Sequence, residues 1–314
     1  MDEKQLNGLL ARMNHSDSTF KDKPESVSWI AHREAEQLND AALIPMLAES
    51  IARSKSKVAR RSVYFAAGKI GKNTGSEKAC AMLLEALERE TDKYSVGAVL
   101  DRLAEQAAVP FSPKLVECAR DARWIVRYSA IDALGKCRHP EAEAALIEII
   151  GASEDPNDLL RACASIGRAG SPESVPCLTA ALENPKTEVK CAVLLALQQI
   201  GDASLTPVFL GALEDKANDV KWYAMGAIAS VGDGRAVAPV IERVKKIVSS
   251  QRKANQSPKS ELVFALEYLI RHIGADKTIP DFLRQIRAKH WGRLFEPEKE
   301  WFERIAADSQ RKDA

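Results

Sequence analysis

Five histidines and six cysteines are the side chains of this 314-residue chain best suited to metal or nucleophilic chemistry. The cysteines are Cys80, Cys118, Cys137, Cys163, Cys177 and Cys191, irregularly spaced and with no CxxC. Most fall at small-apolar positions of a helical pattern, where a free cysteine packs as a small hydrophobe. That usage fits a reducing cytosol better than a disulfide framework. The histidines (His15, His32, His139, His272, His290) are scattered singly and read as surface or cap residues. The segment AAGKIGKNTG, residues 66–75, has the outline of a phosphate-binding loop. Ala66 replaces its first glycine and Asn73 replaces the hydroxyl residue that would hold magnesium. The segment reads instead as the end of a helix and its turn. No catalytic residue set, cofactor site or metal site emerges, and the reading leans away from an enzyme.

The elements that carry these residues repeat about every 31 positions. The clearest copies are Val189–Leu213 and Val220–Val244. Such a period means stacked supersecondary units, and stacked units bind with extended surfaces. Each unit resolves into two helices. Helix A places Val189, Val193, Ala196, Leu197 and Ile200 on one face, and Val220, Ala224, Ala227, Ile228 and Val231 in the next copy. Gly201 and Gly232 follow, where a left-handed residue is expected to stop the helix. Asp202 and Asp233 open the turn, and helix B starts near a proline. Weaker copies run from Asp158 (Gly170, Pro176), from Ile125 with Cys137 in the glycine slot, from Ala59 to Gly71, and from Leu262 to Gly274 before Pro280. Val27 with Pro45 and Val96 with Pro113 are degenerate copies in register. Pro176 to Pro207 is 31 residues and Pro207 to Pro239 is 32, which supports eight helix pairs.

The expected architecture is therefore all-α, an α-solenoid of about eight helix pairs. Residues 1–24 form an N-terminal capping helix and loop, 25–294 the array, and 295–314 a C-terminal capping helix and tail. Leu6, Leu9, Leu10 and Met13 line one side of the first cap, and Phe295, Trp301, Phe302 and Ile305 are available for packing in the last. Between Pro239 and Pro280 the spacing grows to 41, and the surplus is the polar, basic segment 249–260, a surface insertion. The N-terminus lacks the apolar core of a signal peptide, and no run of 18 apolar residues exists, so neither export nor a membrane span is expected. Net charge is +1 with 28% charged residues, which weighs against a nucleic-acid partner.

The Val-Lys start of helix A, the Ala-Leu two turns on, Ile-Gly-Asp at the turn and the proline before helix B resemble HEAT-like repeats, most closely the phycobilisome-lyase type, over roughly residues 25–290. The resemblance implies a bacterial, armadillo-like scaffold and speaks weakly to function. Deoxyhypusine hydroxylase, similar in repeat design, binds two irons through His-Glu pairs, and no His-Glu pair occurs in this chain. HEAT-like alkylpurine glycosylases use aromatic and acidic residues on a basic surface. The matching pairs here, Arg127-Tyr128 and Trp222-Tyr223, occupy positions that pack between neighbouring repeats.

In HEAT-like arrays helix B lines the concave surface, with positions +4 and +7 after the proline slot facing the groove. In order these are Glu49, Glu85, Glu88, Glu117, Arg120, Glu148, Glu183 and Glu214, then Arg243, Lys246, Arg284 and Arg287. Glutamate is also a good helix former and a common filler; the switch to basic residues departs from that pattern. The expected function is a non-enzymatic, cytoplasmic protein-binding module whose acidic-then-basic groove steers a partner with a basic surface. Residues 111–134 are similar in style to immunity proteins encoded beside Rhs-type toxins, which implies such a toxin as the partner. The alternatives are a phycobilin-lyase-like or other enzyme-accessory protein, and nucleic-acid binding through Arg243, Lys246, Lys253, Arg284 and Arg287.

Overall fold

A computed structural model describes residues 1–15, 26–252, 259–274 and 276–312, with side chains to Ile305 in the last helix. Every regular element among the described residues is helical. The chain forms two compact units, Met1–Ser174 and Val175–Ala314. In the first, α1 (Glu3–Met13) is the cap. It is followed by α2 (Val27–Ala35), α3 (Ile44–Arg53), α4 (Lys57–Thr74), α5 (Glu77–Arg89), α6 (Lys93–Ala104), α7 (Pro113–Ala119), α8 (Trp124–Leu134), α9 (Pro140–Ala152) and α10 (Pro156–Ala169). The second holds α11 (Val175–Ala181), α12 (Thr187–Ile200), α13 (Thr206–Ala212), α14 (Asn218–Val231), α15 (Val237–Ser249), α16 (Glu261–Arg271), α17 (Ile279–His290) and the cap α18 (Glu296–Lys312).

Even-numbered helices from α2 to α16 are the A helices, and odd-numbered ones from α3 to α17 the B helices. A helices stack on A helices: α4, α6, α8 and α10 in succession in the first unit, and α12, α14 and α16 in the second. From α3 to α15 the B helices pack against the A helix that follows, as α3 does on α4, α7 on α8 and α13 on α14, and α5 also packs on α4 before it. Except at α4–α5, the closer-packed hairpin therefore straddles the sequence repeat. The stacked face is made by the apolar positions of the period: Val189, Val193, Ala196 and Leu197 of α12, and Val220, Ala224, Ala227 and Ile228 of α14, are all buried. Prolines sit in the first turn of α3, α7, α9, α13 and α17, where a missing N–H leaves no helical bond unmade. Asp202 and Asp233 open short 3₁₀ turns by accepting backbone bonds from Ser204 (2.8 Å) and Arg235 (3.0 Å).

Three local expectations change. Gly201 and Gly232 are extended rather than left-handed, at φ −92°, ψ 178° and φ −65°, ψ 147°. They are glycine for space: a Cβ at either would lie 2.6 Å from the carbonyl oxygen four residues back, of Leu197 or Ile228. The left-handed stop is Gly75 (φ 68°), because α4 runs one turn past Gly71, to Thr74. Asn73 there donates to the carbonyls of Glu36 (2.9 Å) and Leu38 (2.8 Å), so it anchors the preceding turn. Finally, α8 ends at Leu134 with Gly135 as its cap, where a Cβ would meet Ser165 at 2.6 Å. Gly135, and not Cys137, fills the glycine slot.

The caps close the stack as expected. Leu6, Leu9, Leu10 and Met13 of α1 are buried, as are Trp301 and Phe302 of α18. One carboxylate secures the second cap. Fully buried Glu298 accepts from Arg252 through both oxygens (2.6 and 2.8 Å), from Ser260 Oγ (2.7 Å) and from the Phe295 amide (2.9 Å). Arg252 and Ser260 flank residues 253–258 of the insertion, which lie outside the described residues, so α18 fixes both ends of that segment. Replacing Glu298 by Ala leaves a buried guanidinium without its partner and is expected to cost about 3–5 kcal/mol. Gly232→Ala is expected to cost about 1–3 kcal/mol through overpacking. Urea unfolding midpoints measure both.

Candidate protein-binding cleft

The short α7 buries Leu115, Cys118 and Ala119, which turns Lys114, Glu117 and Arg120 away from the core. The longer α9 buries Ala142, Ala145, Leu146 and Ile150, which turns Glu141, Ala144 and Glu148 out. With the C-terminal end of α5, these faces line an open cleft of 1030 Å³. Its polar lining is Glu88, Glu117, Glu141 and Glu148 against Lys114 and Arg120, four carboxylates to two cations. Lys114 pairs with Glu117 at 2.6 Å, and Arg120 of α7 reaches across to Glu148 of α9. Ser112 Oγ donates to Glu88 (3.4 Å). Glu141 has no cationic partner among the described residues. At the rim, the Phe111 ring stacks on His139 with centroids 4.2 Å apart.

Four of the groove residues expected from sequence, Glu88, Glu117, Arg120 and Glu148, thus share one cleft. The other expected residues lie elsewhere. Glu85 lines a separate 280 Å³ cleft between α3 and α5 and pairs with Arg89 at 3.5 Å. Glu49 of α3 is exposed and 3.5 Å from Arg53. Glu183 and Glu214 are exposed but sit in turns, because α11 and α13 end at Ala181 and Ala212, before position +7 is reached. On α15, Arg243 is spent on a two-pronged ion pair with Glu261 of α16 (2.7 and 3.0 Å), while Lys246 is exposed. On α17, Arg284 pairs with Asp281, and the Arg287 guanidinium lies 5.6 Å from the Trp291 ring. Lys253 lies outside the described residues.

Sequence reasoning missed Glu141 and Phe111. The first sits one place after Pro140, outside the +4/+7 rule, where an acidic residue also reads as a helix-start preference. It also missed a seam of cations that join successive repeats. Arg60 of α4 holds Glu90 (2.6 and 3.0 Å), which also accepts from Tyr64 (2.6 Å). Arg127 of α8 holds Asp158 (2.9 Å) and Asp155 (3.1 Å), and Tyr128 donates to Asp155 (2.7 Å). Lys190 of α12 holds Asp215 at 2.7 Å. The separations of 30 and 31 for Arg60–Glu90 and Arg127–Asp158 match the repeat, and that recurrence was the readable signal; Lys190–Asp215, at 25, falls short of it. Trp222 donates to the Lys259 carbonyl (2.9 Å) and sets its ring edge-on to Phe264 of α16. Arg127, Tyr128 and Trp222 are thus between-repeat residues, as expected, while Tyr223 stacks edge-on against Trp222.

The Arg60 hydrogen bonds hold the Glu90 carboxyl below its usual range, and burial pushes the Tyr64 phenol up. Burial likewise raises the thiols of Cys118 and Cys191 to about 11 and of Cys137 to about 12. At neutral pH these are protonated and unreactive. Among the described residues, no group of three or more His, Cys, Asp or Glu is close enough to hold a metal ion. No helix among them is long and apolar enough to cross a membrane.

Stacked A helices flanked by a B layer define an α-solenoid. Residues 112–189 and 178–257 match the family profile of HEAT repeats. Over that span the chain carries HEAT-like repeats, stacked units of a kind that serve as interaction scaffolds. Among solved structures it is similar to YibA of Escherichia coli, at 15% identity and TM-score 0.51, covering 93% of this chain and 99% of that one. An engineered protein is 18% identical with TM-score 0.45, covering 96% of this chain and 87% of that one. No curated protein matches the chain.

Because the folded pKa of Glu90 is depressed, its contribution to stability is full above the unfolded carboxyl value of about 4.3 and is lost as pH falls through the folded value. Glu90→Gln is expected to flatten that acid-side loss. Unfolding midpoints measured between neutral and acid pH, for wild type and variant, check it.

Proposed function

We propose that this chain is a non-enzymatic protein-binding scaffold whose α5–α7–α9 cleft receives a basic surface of a partner protein. The observation that carries the proposal is the excess of four carboxylates over two cations in one open cleft, with Glu141 unpaired and the Phe111 face at its rim. The cations do not fill the cleft; each is tied to a single glutamate, so the net negative field persists toward solvent. Such a field speeds encounter with a positively charged partner and orients it. The partner's arginines can exchange into the Lys114–Glu117 and Arg120–Glu148 pairs, since exposed ion pairs are worth little.

The finer form of the proposal is inhibition of a toxin with a basic, nucleic-acid-directed surface. Its support is positional. The segment 111–134, the one similar in style to immunity proteins of Rhs-type toxins, contributes Phe111, Lys114, Glu117 and Arg120 to the cleft.

The test is capture from the native host with wild-type protein and with Glu88, Glu117, Glu141 and Glu148 all changed to Gln. Wild type is expected to retain one stoichiometric basic protein, with affinity lowered roughly tenfold or more in the variant. Equal capture by both proteins would contradict the cleft as the binding surface.

A further inference from the structure

The A layer of unit 1 carries a pattern that the acidic cleft does not use. Three successive A helices open with a cation followed at once by a large apolar residue: Lys57-Val58 at α4, Lys93-Tyr94 at α6 and Arg123-Trp124 at α8. Val58 is 52% exposed, Tyr94 51% and Trp124 62%. The three helix starts adjoin one another. Lys57 Nζ lies 3.3 Å from Asp92, the N-cap of α6, and Arg123 donates to the Thr91 carbonyl at 3.3 Å. One further cation, Arg61, flanks the row; its guanidinium and the Lys93 ammonium lie 6.0 and 4.9 Å from the Tyr94 ring centre. Lys57 and Arg123 are neutralised by Asp92 and Asp121, whereas Arg61 and Lys93 have no carboxylate partner among the described residues.

Helix electrostatics disfavour this arrangement at α4 and α8, whereas Asp92 caps α6. The N-terminal end of a helix carries partial positive charge and prefers an acidic neighbour. Helices α10, α12, α14 and α16 follow the rule, with Asp158, Glu188, Asp219 and Glu261 in their first turns. Helices α4, α6 and α8 have no acidic residue there. Unburied apolar surface at the same three positions brings the fold no compensating stability. Exposed apolar side chains at three consecutive repeats, with Arg61 and Lys93 beside them and no carboxylate paired to either among the described residues, are explained by a partner that neutralises those two cations and covers the apolar side chains together.

The chemistry of that partner follows from the row. It must be anionic to match Arg61 and Lys93. It must also be apolar along its length, since Val58 offers no ring face and interrupts any ladder for stacking bases. Neighbouring helix axes lie about 8–10 Å apart, and two turns of an α-helix rise about 10.5 Å. A helix laid across the three N-termini therefore brings every seventh residue over a successive apolar side chain. We propose that the row Val58–Tyr94–Trp124, flanked by Arg61 and Lys93, docks an acidic amphipathic helix of a partner protein.

The test uses the full chain and a labelled synthetic helix with leucine on one face and glutamate on its flanks, alongside the same peptide with glutamine for glutamate and a single-stranded oligothymidylate. Fluorescence anisotropy is expected to show saturable, salt-weakened binding of the glutamate peptide, with a blue shift of Trp124 emission. Binding is expected to fall roughly tenfold or more with the glutamine peptide, with Tyr94→Ala and with Lys93→Glu. Lys93→Glu places a favoured charge in the first turn of α6, so its unfolding midpoint is expected to hold or rise; a fall would contradict the electrostatic premise. The proposal is overturned if the glutamate peptide does not bind at about 1 mM, or binds both variants as well as wild type. Binding of the oligonucleotide in place of the peptide would overturn it in favour of a nucleic-acid surface.

Discussion

The structure depends on a single packing constraint: no helix pair in this chain can bury its apolar face alone. The Val189, Val193 and Leu197 face of α12 is covered only because α14 lies on it, and α14 in turn is covered by α16. The seam bonds have the same logic. Arg60 reaches Glu90 and Arg127 reaches Asp158, each one period further along the chain. Stability of such an array is the sum of nearest-neighbour terms, so its ends need closure. Glu298 is buried for that reason, since it holds the last helix onto the final interface and ties down the insertion beside it.

That constraint also explains where function can reside. The A layer and the inner faces of the B helices are committed to stacking, and Cys118, Cys137 and Cys191 within them are buried with thiols too basic to react. What remains free is the outward face of each B helix and the starts of the A helices. On the B side of unit 1, α5, α7 and α9 converge on an acidic cleft. On the A side, a row of cations and apolar residues runs across three helix starts. A chain of net charge +1 thus segregates opposite charge onto different surfaces of one unit, an arrangement visible only in space.

Much of the fold was legible because the period sets it. The eight pairs, both caps and the first-turn prolines follow from apolar spacing and proline position. The glycines were read correctly as helix stops but for the wrong reason. Sequence marks that a Cβ is forbidden at Gly201, yet it does not distinguish a left-handed φ from a carbonyl 2.6 Å away. The candidate cleft was only half legible. Glu88, Glu117 and Glu148 were found by counting from the proline slot along helix B, and Arg120 joins them from the residue just past the end of α7. The count fails at Glu183 and Glu214, where a seven-residue helix has already ended. It fails differently at Arg243, because a position count carries no information about the Glu261 that captures the side chain. Glu141 and Phe111 were missed because they join the cleft by convergence of α7 and α9.

The central claim is that a protein partner sits on the α5–α7–α9 cleft of unit 1. Carbodiimide labelling of carboxylates in the free chain and in its complex with the captured partner, read by mass spectrometry, tests it most directly. The account predicts protection of Glu88, Glu117, Glu141 and Glu148 on binding, with Glu49 and Glu183 labelled as before. Unchanged labelling of those four, with protection confined to other carboxylates, would contradict it.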